Sequence, residues 1–390
     1  MQTLPNFNFT NGITTFRKIR FVLLFLIVLG FSSCIKNDHH SNNCEAFNDD
    51  KNSGHDGKNT TPAVSVFATG FNNPRGLKFG PDCHLYVAEA GLGGTNSTAD
   101  ICPELQVGAA AGGPFTGSPT GGRISRVDPT GQRTTVTENL PSTMSNGGDI
   151  LGVADIAFIG EKLYALLFAG CSHGVEEVPT GIVRINFDGS HTVIADLGTW
   201  HVENPVANPG DDFEPEGNPY SMITVHDKFY VVEANQGQLL KVKTDGTINR
   251  IVDISATYKH IVPTVIDFHD GNFYVGNLGP FPAVEGSSNI YKISPGGDIE
   301  IAETGFTMIL GLVFDNRGRL YVLESTTGNP FPTPGTGRII RVNHDGSRDV
   351  IATGLNLPTG MTYGPDGNLY VSQWGFGASA GGGEIVKVTL

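Results

Sequence analysis

The chain has 390 residues, 39% of them hydrophobic and 16% charged, which is enough to build a large buried core. Its 52 glycines and 23 prolines indicate a chain rich in turns, and this composition excludes a helical bundle or a coiled coil. Acidic residues outnumber basic ones by 39 to 25, so the net charge of −14 disfavours nucleic acids and anionic membrane surfaces as partners.

Residues 1–33 have the pattern of an export signal. Three basic residues between positions 17 and 20 precede an apolar run at 21–31, which is shorter than the roughly 20 residues that cross a bilayer. The run ends in Phe31-Ser32-Ser33-Cys34, which is similar to the lipoprotein box whose cysteine receives the lipid. We therefore expect lipid attachment at Cys34, with secretion of a soluble protein as the alternative.

Residues 34–63 are rich in Asn, Asp, His, Ser and Gly, a composition typical of a solvated, flexible tether. Together the two segments predict an exported lipoprotein of the outer membrane or cell surface that faces the periplasm or the exterior. The lipid is the only membrane contact that we predict.

Residues 64–390 contain six copies of one unit, each marked by a short apolar strand with a central tyrosine. These strands are Leu85-Tyr86-Val87, Leu163-Tyr164-Ala165, Phe229-Tyr230-Val231, Phe273-Tyr274-Val275, Leu320-Tyr321-Val322 and Leu369-Tyr370-Val371. An apolar run and a turn precede each copy, and further apolar runs follow it. Units of four antiparallel strands, which we call a to d in chain order, are typical of propeller blades when repeated at this spacing.

The sixth copy ends after its strand c, at the last residues of the chain. Its missing strand d is supplied by residues 64–70, which match the d strand of the fifth copy at 349–354. We therefore predict an all-β, six-bladed propeller with four antiparallel strands per blade, closed by an N-terminal strand that joins the last blade.

This topology sorts the loops and predicts the disulfides. Turns a–b and c–d lie on one face of the propeller, and loops b–c and d–a lie on the other. Cys102 and Cys171 fall in b–c loops of adjacent blades, and Cys83 falls in an a–b turn, on the face where the tether that carries Cys44 enters. Because export favours disulfide formation, we predict the pairs Cys102–Cys171 and Cys44–Cys83.

Six further motifs follow one another along the repeats. They are Asn72-Asn73-Pro74-Arg75-Gly76-Leu77, Leu85-Tyr86-Val87-Ala88-Glu89, Gly217-Asn218-Pro219-Tyr220, Val262-Pro263-Thr264, Gly279-Pro280-Phe281-Pro282 and Gly305-Phe306-Thr307. This ordered set resembles the ScyD/ScyE family over about residues 64–390. The resemblance implies an exported, TolB-like six-bladed propeller with NHL-like repeats, and it implies no particular activity.

Alignment of the repeats places one residue of each blade at the end of strand b. These residues are Glu89, Leu167, Glu233, Asn277, Glu324 and Gln373. Carboxylates and amides grouped around the channel could bind Ca²⁺ or another ligand and could support acid–base catalysis. The alternative is a structural role, in which each side chain accepts backbone N–H groups of its own b–c loop.

Propeller lactonases of the gluconolactonase and paraoxonase type, which this architecture resembles, hold calcium near the start of strand a. The equivalent positions here are Arg75, Ala154, Ser221, Thr264, Leu310 and Thr359. No carboxylate is among them, so we do not expect that calcium site. The nearby Asp155 could form a salt bridge with Arg75.

The largest inserted loops, at 91–121 and 198–218, lie on the face of the b–c and d–a loops, where loops on rigid scaffolds often carry function. The second contains Trp200 beside acids that include Asp211 and Asp212. This combination fits recognition of a cation or a sugar, and a merely solvated acidic loop is the alternative.

We interpret the chain as a monomeric binding module without catalysis of its own. Its ligand, a small molecule, glycan or protein, is expected at Arg75, Glu89, Asp155, Glu233, Asn277, Glu324, Gln373, Trp200, Asp211 and Asp212. The alternative is a lyase or hydrolase that uses the three glutamates of this set at the channel. No cofactor is expected, and Ca²⁺ is the one candidate.

Overall fold

The computed structural model describes residues 62–390, so Cys34, Cys44 and the predicted signal and tether lie outside the described residues. The described chain forms six antiparallel sheets, one per blade, and the prediction of an all-β, six-bladed propeller is confirmed.

The strands are numbered in chain order. The first, β1 (Ala63–Phe71), precedes blade one, which consists of β2 (Pro74–Phe79), β3 (Leu85–Glu89), β4 (Thr116–Val127), β5 (Arg133–Met144) and the two-residue β6 (Ile150–Leu151). Blade two consists of β7 (Val153–Ile159), β8 (Lys162–Leu167), β9 (Gly181–Ile185) and β10 (His191–Asp196). Blade three consists of β11 (Pro219–Val225), β12 (Lys228–Glu233), β13 (Gln238–Lys243) and β14 (Ile248–Asp253).

Blade four consists of β15 (Pro263–His269), β16 (Asn272–Asn277), β17 (Ser288–Ile293) and β18 (Ile299–Phe306). Blade five consists of β19 (Ile309–Phe314), β20 (Leu320–Glu324), β21 (Gly337–Val342) and β22 (Arg348–Leu355). Blade six consists of β23 (Gly360–Tyr363), β24 (Leu369–Gln373), β25 (Gly383–Thr389) and β1. Blade one is the exception to four strands per blade, because β6 adds a fifth.

Short turns between strands a and b set the hairpin register. In blade four the turn is Asp270-Gly271, with φ of 45° and 77°. Two successive left-handed residues form the turn whose twist matches that of the flanking strands, and Asp-Gly favours it. The result is the pairing of His269 with Asn272 at the end of the hairpin.

The ring closes as the sequence predicted. Strand β1 pairs antiparallel with β25, with Val64 opposite Val388 and Val66 opposite Val386. The N-terminal strand is therefore the outer strand of blade six, and this pairing covers the edge that β25 would otherwise expose.

The core lies between the blades. Six apolar clusters each combine buried residues from two neighbouring blades, as in the contact of Tyr164 from blade two with Phe229 from blade three. Strands buried on both faces must be apolar on both faces, which explains the continuous apolar sequence of β8.

Two short helices occupy d–a connections. Helix α1 (Leu197–Glu203) precedes blade three and α2 (Ile254–Tyr258) precedes blade four. Each begins after an aspartate, Asp196 or Asp253, whose carboxylate accepts a backbone N–H of the first turn. Within residues 62–390 no helix has the length and apolar character needed to cross a membrane.

Candidate functional site at the channel mouth

Each of five inner strands begins with an irregularity in its pairing to strand b. The pairing skips between Pro74 and Leu77, Val153 and Asp155, Pro219 and Ser221, Pro263 and Val265, and Ile309 and Gly311. A β-bulge of this kind re-aims a side chain. The skipped residues that line the channel or its mouth are Arg75, Ala154, Tyr220, Thr264 and Leu310.

The backbone just before the inner strands is strained in four blades. Its φ is 50° at Asn73, 54° at Val262, 49° at Met308 and 43° at Leu357. Asparagine tolerates this left-handed region, whereas a β-branched valine does so only when the surrounding structure enforces it. In these four blades the chain therefore turns sharply just before it enters the inner strand. This turn lies at the channel mouth, the name we use for the opening of the channel on the face of the b–c and d–a loops.

A depression at the channel mouth lies between blades one, two and three. It is lined by Arg75, Leu151, Gly152, Val153, Ala154, Phe168, Asn218 and Tyr220. Below it the channel contains a cavity of about 30 Å³, lined in part by Lys78, Asp155 and Thr264. The depression measures about 10 Å³ and the channel cavity about 30 Å³, so each holds only one or two water molecules. An organic ligand at the mouth would therefore lie over the depression or require its side chains to move apart.

Arg75 is a buried cation in the wall of this depression. Its side chain is 7% exposed, and Nη2 donates to the carbonyl oxygen of Ile150 at 2.6 Å. Its Nε is buried and has no hydrogen-bond partner among residues 62–390. A buried charge is costly unless it is paired, so the Nε–H of this guanidinium is a candidate donor to an anion.

The predicted salt bridge between Asp155 and Arg75 is replaced by other contacts of Asp155. Its Oδ2 accepts hydrogen bonds from Ser221 Oγ at 3.0 Å and from the Met222 backbone N–H at 2.9 Å. The ion pair of Asp155 is with Lys78, at 4.0 Å. The carboxylate is therefore engaged by the walls of the channel and does not neutralise Arg75.

Tyr220 and Phe376 complete the surroundings of the guanidinium. Burial raises the pKa of the Tyr220 hydroxyl, and the neighbouring Arg75 charge lowers it in part. The hydroxyl is therefore neutral and able to donate at physiological pH. The Arg75 guanidinium carbon lies 6.0 Å from the centre of the Phe376 ring. A cation, a phenol and aromatic walls suit a carboxylate with an apolar body.

Glu89 and Glu324, predicted at the channel, are instead enclosed within their own blades and are 0% exposed. Glu89 accepts two hydrogen bonds from Arg123, at 2.6 and 2.9 Å, and one from the Asn72 backbone N–H at 2.7 Å. Glu324 is paired with Arg338 and accepts the backbone N–H of Thr307 at 2.6 Å. These contacts favour the structural interpretation.

Gln373 and Asn277 take the same part in their blades. Gln373 accepts the backbone N–H of Asn356, and Asn277 donates to the carbonyl oxygen of Ile261 at 2.8 Å. Both partners, Asn356 and Ile261, lie in the d–a connection that leads into the blade. The structural interpretation from the sequence had expected partners in the b–c loop instead. The strand-b residue therefore holds the entering chain against its blade.

Glu233 differs from the other glutamates because no cation pairs with it. Its oxygens accept the backbone N–H groups of Asn218, Gln236 and Asn235 at 2.6, 2.6 and 3.0 Å. Complete burial raises its pKa to about 7 in spite of these bonds, and the nearby Glu214 raises it further. The group titrates near neutral pH but is 0% exposed.

The insertion at 198–218 is folded onto the propeller. The ring of Trp200 lies 5.3 Å from the Arg250 guanidinium, so a cation of this chain already occupies one of its faces. Asp212 lies 3.0 Å from His260 Nε2, and this contact raises the pKa of His260. Asp211 is exposed. The three predicted residues are thus not gathered around one pocket.

Cys102 and Cys171, the pair predicted from adjacent b–c loops, form a disulfide with an S–S distance of 2.08 Å. Cys83 is also disulfide-bonded, and its predicted partner Cys44 lies outside the described residues. Next to Cys171, the Ser172 backbone N–H donates to Glu216 at 2.6 Å, and His173 lies 3.0 Å from Glu214. The insertions of blades one and three are therefore both attached to the b–c loop of blade two.

Sequence reasoning found Arg75 but missed Tyr220 and Phe168. The repeat alignment took Ser221 as the equivalent of Arg75. The structure shows that the equivalent residue is Tyr220, one position earlier. The repeated Asn-Pro pair, Asn73-Pro74 and Asn218-Pro219, is the signal that aligns Arg75 with Tyr220. Phe168 follows strand β8 in the sequence, and nothing in its local pattern distinguishes it from other buried residues.

In residues 62–390 no three His, Cys, Asp or Glu side chains are placed together so as to hold a metal ion. No protein-family model matches the chain, and no curated protein matches it. Among solved structures, a protein of unknown function from Bacteroides thetaiotaomicron is similar, with a TM-score of 0.53, 12% identity and coverage of 84% of this chain and 76% of that one. A putative oxidoreductase (glucose dehydrogenase) from Thermus thermophilus has a TM-score of 0.51 and 17% identity, with coverage of 84% and 100%. At these identities the similarity is one of propeller fold alone.

Proposed function

We propose that this protein binds a small organic acid at the channel mouth, with Arg75 as the anchor of its carboxylate. The observation that carries this proposal is a guanidinium that is 7% exposed, has an Nε without a hydrogen-bond partner among residues 62–390, and lines a depression of about 10 Å³ at the channel mouth. A ligand carboxylate would supply the missing charge and hydrogen bond. Tyr220 and Phe376, which are both partly exposed, would contact the apolar body of the ligand.

The proposal includes no reaction and no metal. A cationic anchor beside a neutral phenol repels Ca²⁺, and the glutamates that a lyase or hydrolase would use are 0% exposed. The enzyme alternative therefore requires a substrate to reach Glu89, Glu233 or Glu324 through the packed ends of their blades. Glucose dehydrogenase activity is part of the name of the Thermus protein, and we do not propose it for this chain.

We further propose export and lipid anchoring through Cys34, and membership of the ScyD/ScyE family. The Cys102–Cys171 disulfide supports an oxidising compartment. The motifs that resemble the family include Asn73-Pro74-Arg75 and Gly217-Asn218-Pro219-Tyr220, which carry both polar residues of the proposed site.

Isothermal titration of the exported Cys34→Ala chain, which carries no lipid but keeps Cys44, tests the anchor. The ligands are small aromatic and aliphatic carboxylic acids and the amide of each acid. We expect at least one acid to bind about tenfold or more tightly than its amide. Arg75→Gln should weaken that binding by about ten- to a hundredfold, because a hydrogen-bonded charge pair is lost. Tyr220→Phe, which removes one hydroxyl, should weaken it by about two- to tenfold.

Arg317→Gln is the matched control. Arg317 is exposed in an a–b turn, on the face opposite the channel mouth, and its replacement removes the same charge. It should leave binding unchanged. Three results would each rule out the proposed anchor: equal affinity for acids and amides, full binding by Arg75→Gln, or no binding by any acid. If Arg75→Gln does not fold, Tyr220→Phe is the deciding variant, and unchanged binding by it would rule out the anchor.

A further inference from the structure

Blades four and five present two exposed aromatic rings on the same face as the channel mouth. Phe281 is 52% exposed and Phe331 is 56% exposed, each in a b–c loop. Their ring centres are 5.8 Å apart and their planes differ by 9°, so the rings are parallel and offset. Beside them Val284 is 65% exposed. Exposed apolar side chains grouped in this way are a candidate interaction site.

The two loops repeat one motif. Phe281 lies in Pro280-Phe281-Pro282 and Phe331 lies in Pro330-Phe331-Pro332. Each proline restricts its own backbone and that of the residue before it. The loops are also joined, because the Ala283 backbone N–H donates to the Pro330 carbonyl oxygen at 2.8 Å. The rings are thus held in solvent by a stiff backbone and do not need to be ordered when a ligand binds.

The surroundings of the two rings are polar but almost uncharged. Residues 326–337 contain no charged side chain, and residues 279–289 contain only Glu285. The same two loops carry hydroxyl and amide groups, among them Ser287, Asn329 and Thr333. Within these two loops there is no carboxylate cluster for a cationic peptide and no cation for an anionic ligand. Aromatic faces beside neutral hydrogen-bonding groups instead match a sugar, whose C–H face is apolar and whose hydroxyls lie at its edge.

We propose that Phe281 and Phe331 form a platform for a neutral glycan, a second site separate from the proposed acid site at Arg75. One sugar ring stacks on the outward face of a phenylalanine, and its hydroxyls exchange hydrogen bonds with the neutral border. The platform also faces away from the chain's entry into the fold, because β1 begins at Ala63 opposite Thr389, at the other face of the propeller. A polysaccharide can therefore approach the platform from that face.

Native gel electrophoresis of the exported Cys34→Ala chain, which carries no lipid but keeps Cys44, tests this site. The gels contain soluble neutral polysaccharides, namely β-glucan, xylan, mannan and dextran in separate gels. We expect at least one polysaccharide to retard the protein. The double variant Phe281→Ala with Phe331→Ala should lose the retardation, with affinity lowered by about tenfold or more. Phe281→Trp keeps a stacking face and should bind at least as well as the original chain.

Phe187→Ala is the matched control, because Phe187 is fully exposed in a c–d turn on the opposite face. It should be retarded like the unmodified protein. Retardation that survives the double variant, or its absence in every gel, overturns the proposal. Dimers that the double variant abolishes, seen by light scattering with no retardation, would assign the rings to a contact between two copies of this chain. Arg75→Gln should not affect retardation, so failure of this site and failure of the acid site are separate results.

Discussion

At the scale of single residues, the polar side chain at the end of strand b is held in three different ways in different blades. Glu89 and Glu324 are buried against Arg123 and Arg338, so each carboxylate is neutralised inside its blade. Gln373 and Asn277 do the same work as neutral amides. Glu233 keeps the carboxyl group without the cation, and burial then raises its pKa to about 7. The five polar side chains at this position all form hydrogen bonds, so charge is secondary, and Leu167 of blade two is the apolar exception.

This difference predicts a pH-dependent stability that depends on Glu233. Its ordinary pKa is 4.5 and its folded pKa is about 7, so between these values the folded chain keeps a proton that the unfolded chain releases. The free energy of unfolding should therefore fall as pH rises from 4.5 to 7, by at most about 1.4 kcal/mol per pH unit. Glu233→Gln should remove that fall, as measured by urea midpoints at pH 5 and 7.5.

Glu324→Gln is the control for this measurement, because the Glu324 carboxylate is paired with Arg338 and the variant leaves Glu233 intact. It should lower stability while preserving the fall between the two pH values. Parallel pH curves for the original chain and Glu233→Gln would contradict the assignment.

At the scale of elements, the site depends on loops that belong to different blades. Phe168 in the depression packs against His173, with ring centres 4.0 Å apart, and His173 contacts Glu214 of the next insertion. The Cys102–Cys171 bond joins the same b–c loop to the insertion of blade one. These contacts link three blades around one wall of the channel mouth.

Replacement of both Cys102 and Cys171 by serine should weaken this wall. The bond spans 69 residues of sequence, and loss of such a cross-link is worth on the order of 4 kcal/mol in a chain-entropy estimate. We expect a lower urea midpoint and faster amide exchange concentrated in residues 91–121 and 170–175. An unchanged midpoint, or faster exchange spread evenly over all six blades, would contradict a local role of the bond in holding the loops.

At the scale of the whole molecule, ring closure fixes where the chain enters the fold. Because β1 is the outer strand of blade six, the described chain begins on the face of the a–b turns, where the disulfide-bonded Cys83 also lies. The channel mouth and the aromatic platform lie on the other face.

Cys34→Ala tests the anchor. We expect the variant to move from the membrane fraction to the soluble fraction in fractionated cells, because the lipid is the only membrane contact proposed. Its melting temperature should not change, since the substitution lies outside the propeller. Cys44→Ala is the control and should stay with the membrane. A Cys34→Ala protein that remains in the membrane fraction would disprove lipid attachment at this residue.

The six repeats, the closing strand and the pairing of Cys102 with Cys171 could be predicted from the sequence alone. Each follows from a local pattern, apolar runs separated by turns, whose repetition leaves few topologies that bury every sheet. The pattern also placed Glu89, Glu233 and Glu324 correctly at the ends of strand b.

Only the tertiary structure decided what those positions do. The bulge that makes Tyr220 the neighbour of Arg75 shifts the register by one residue, and a hydrophobicity pattern does not record such a shift. Whether a buried charge has a partner depends on residues far apart in sequence. Asp155 meets Ser221 and Lys78 across three blades, whereas the Nε of Arg75 has no hydrogen-bond partner among residues 62–390. The periodicity of a chain determines its strands, but the pairing of its charges is set by how the strands pack.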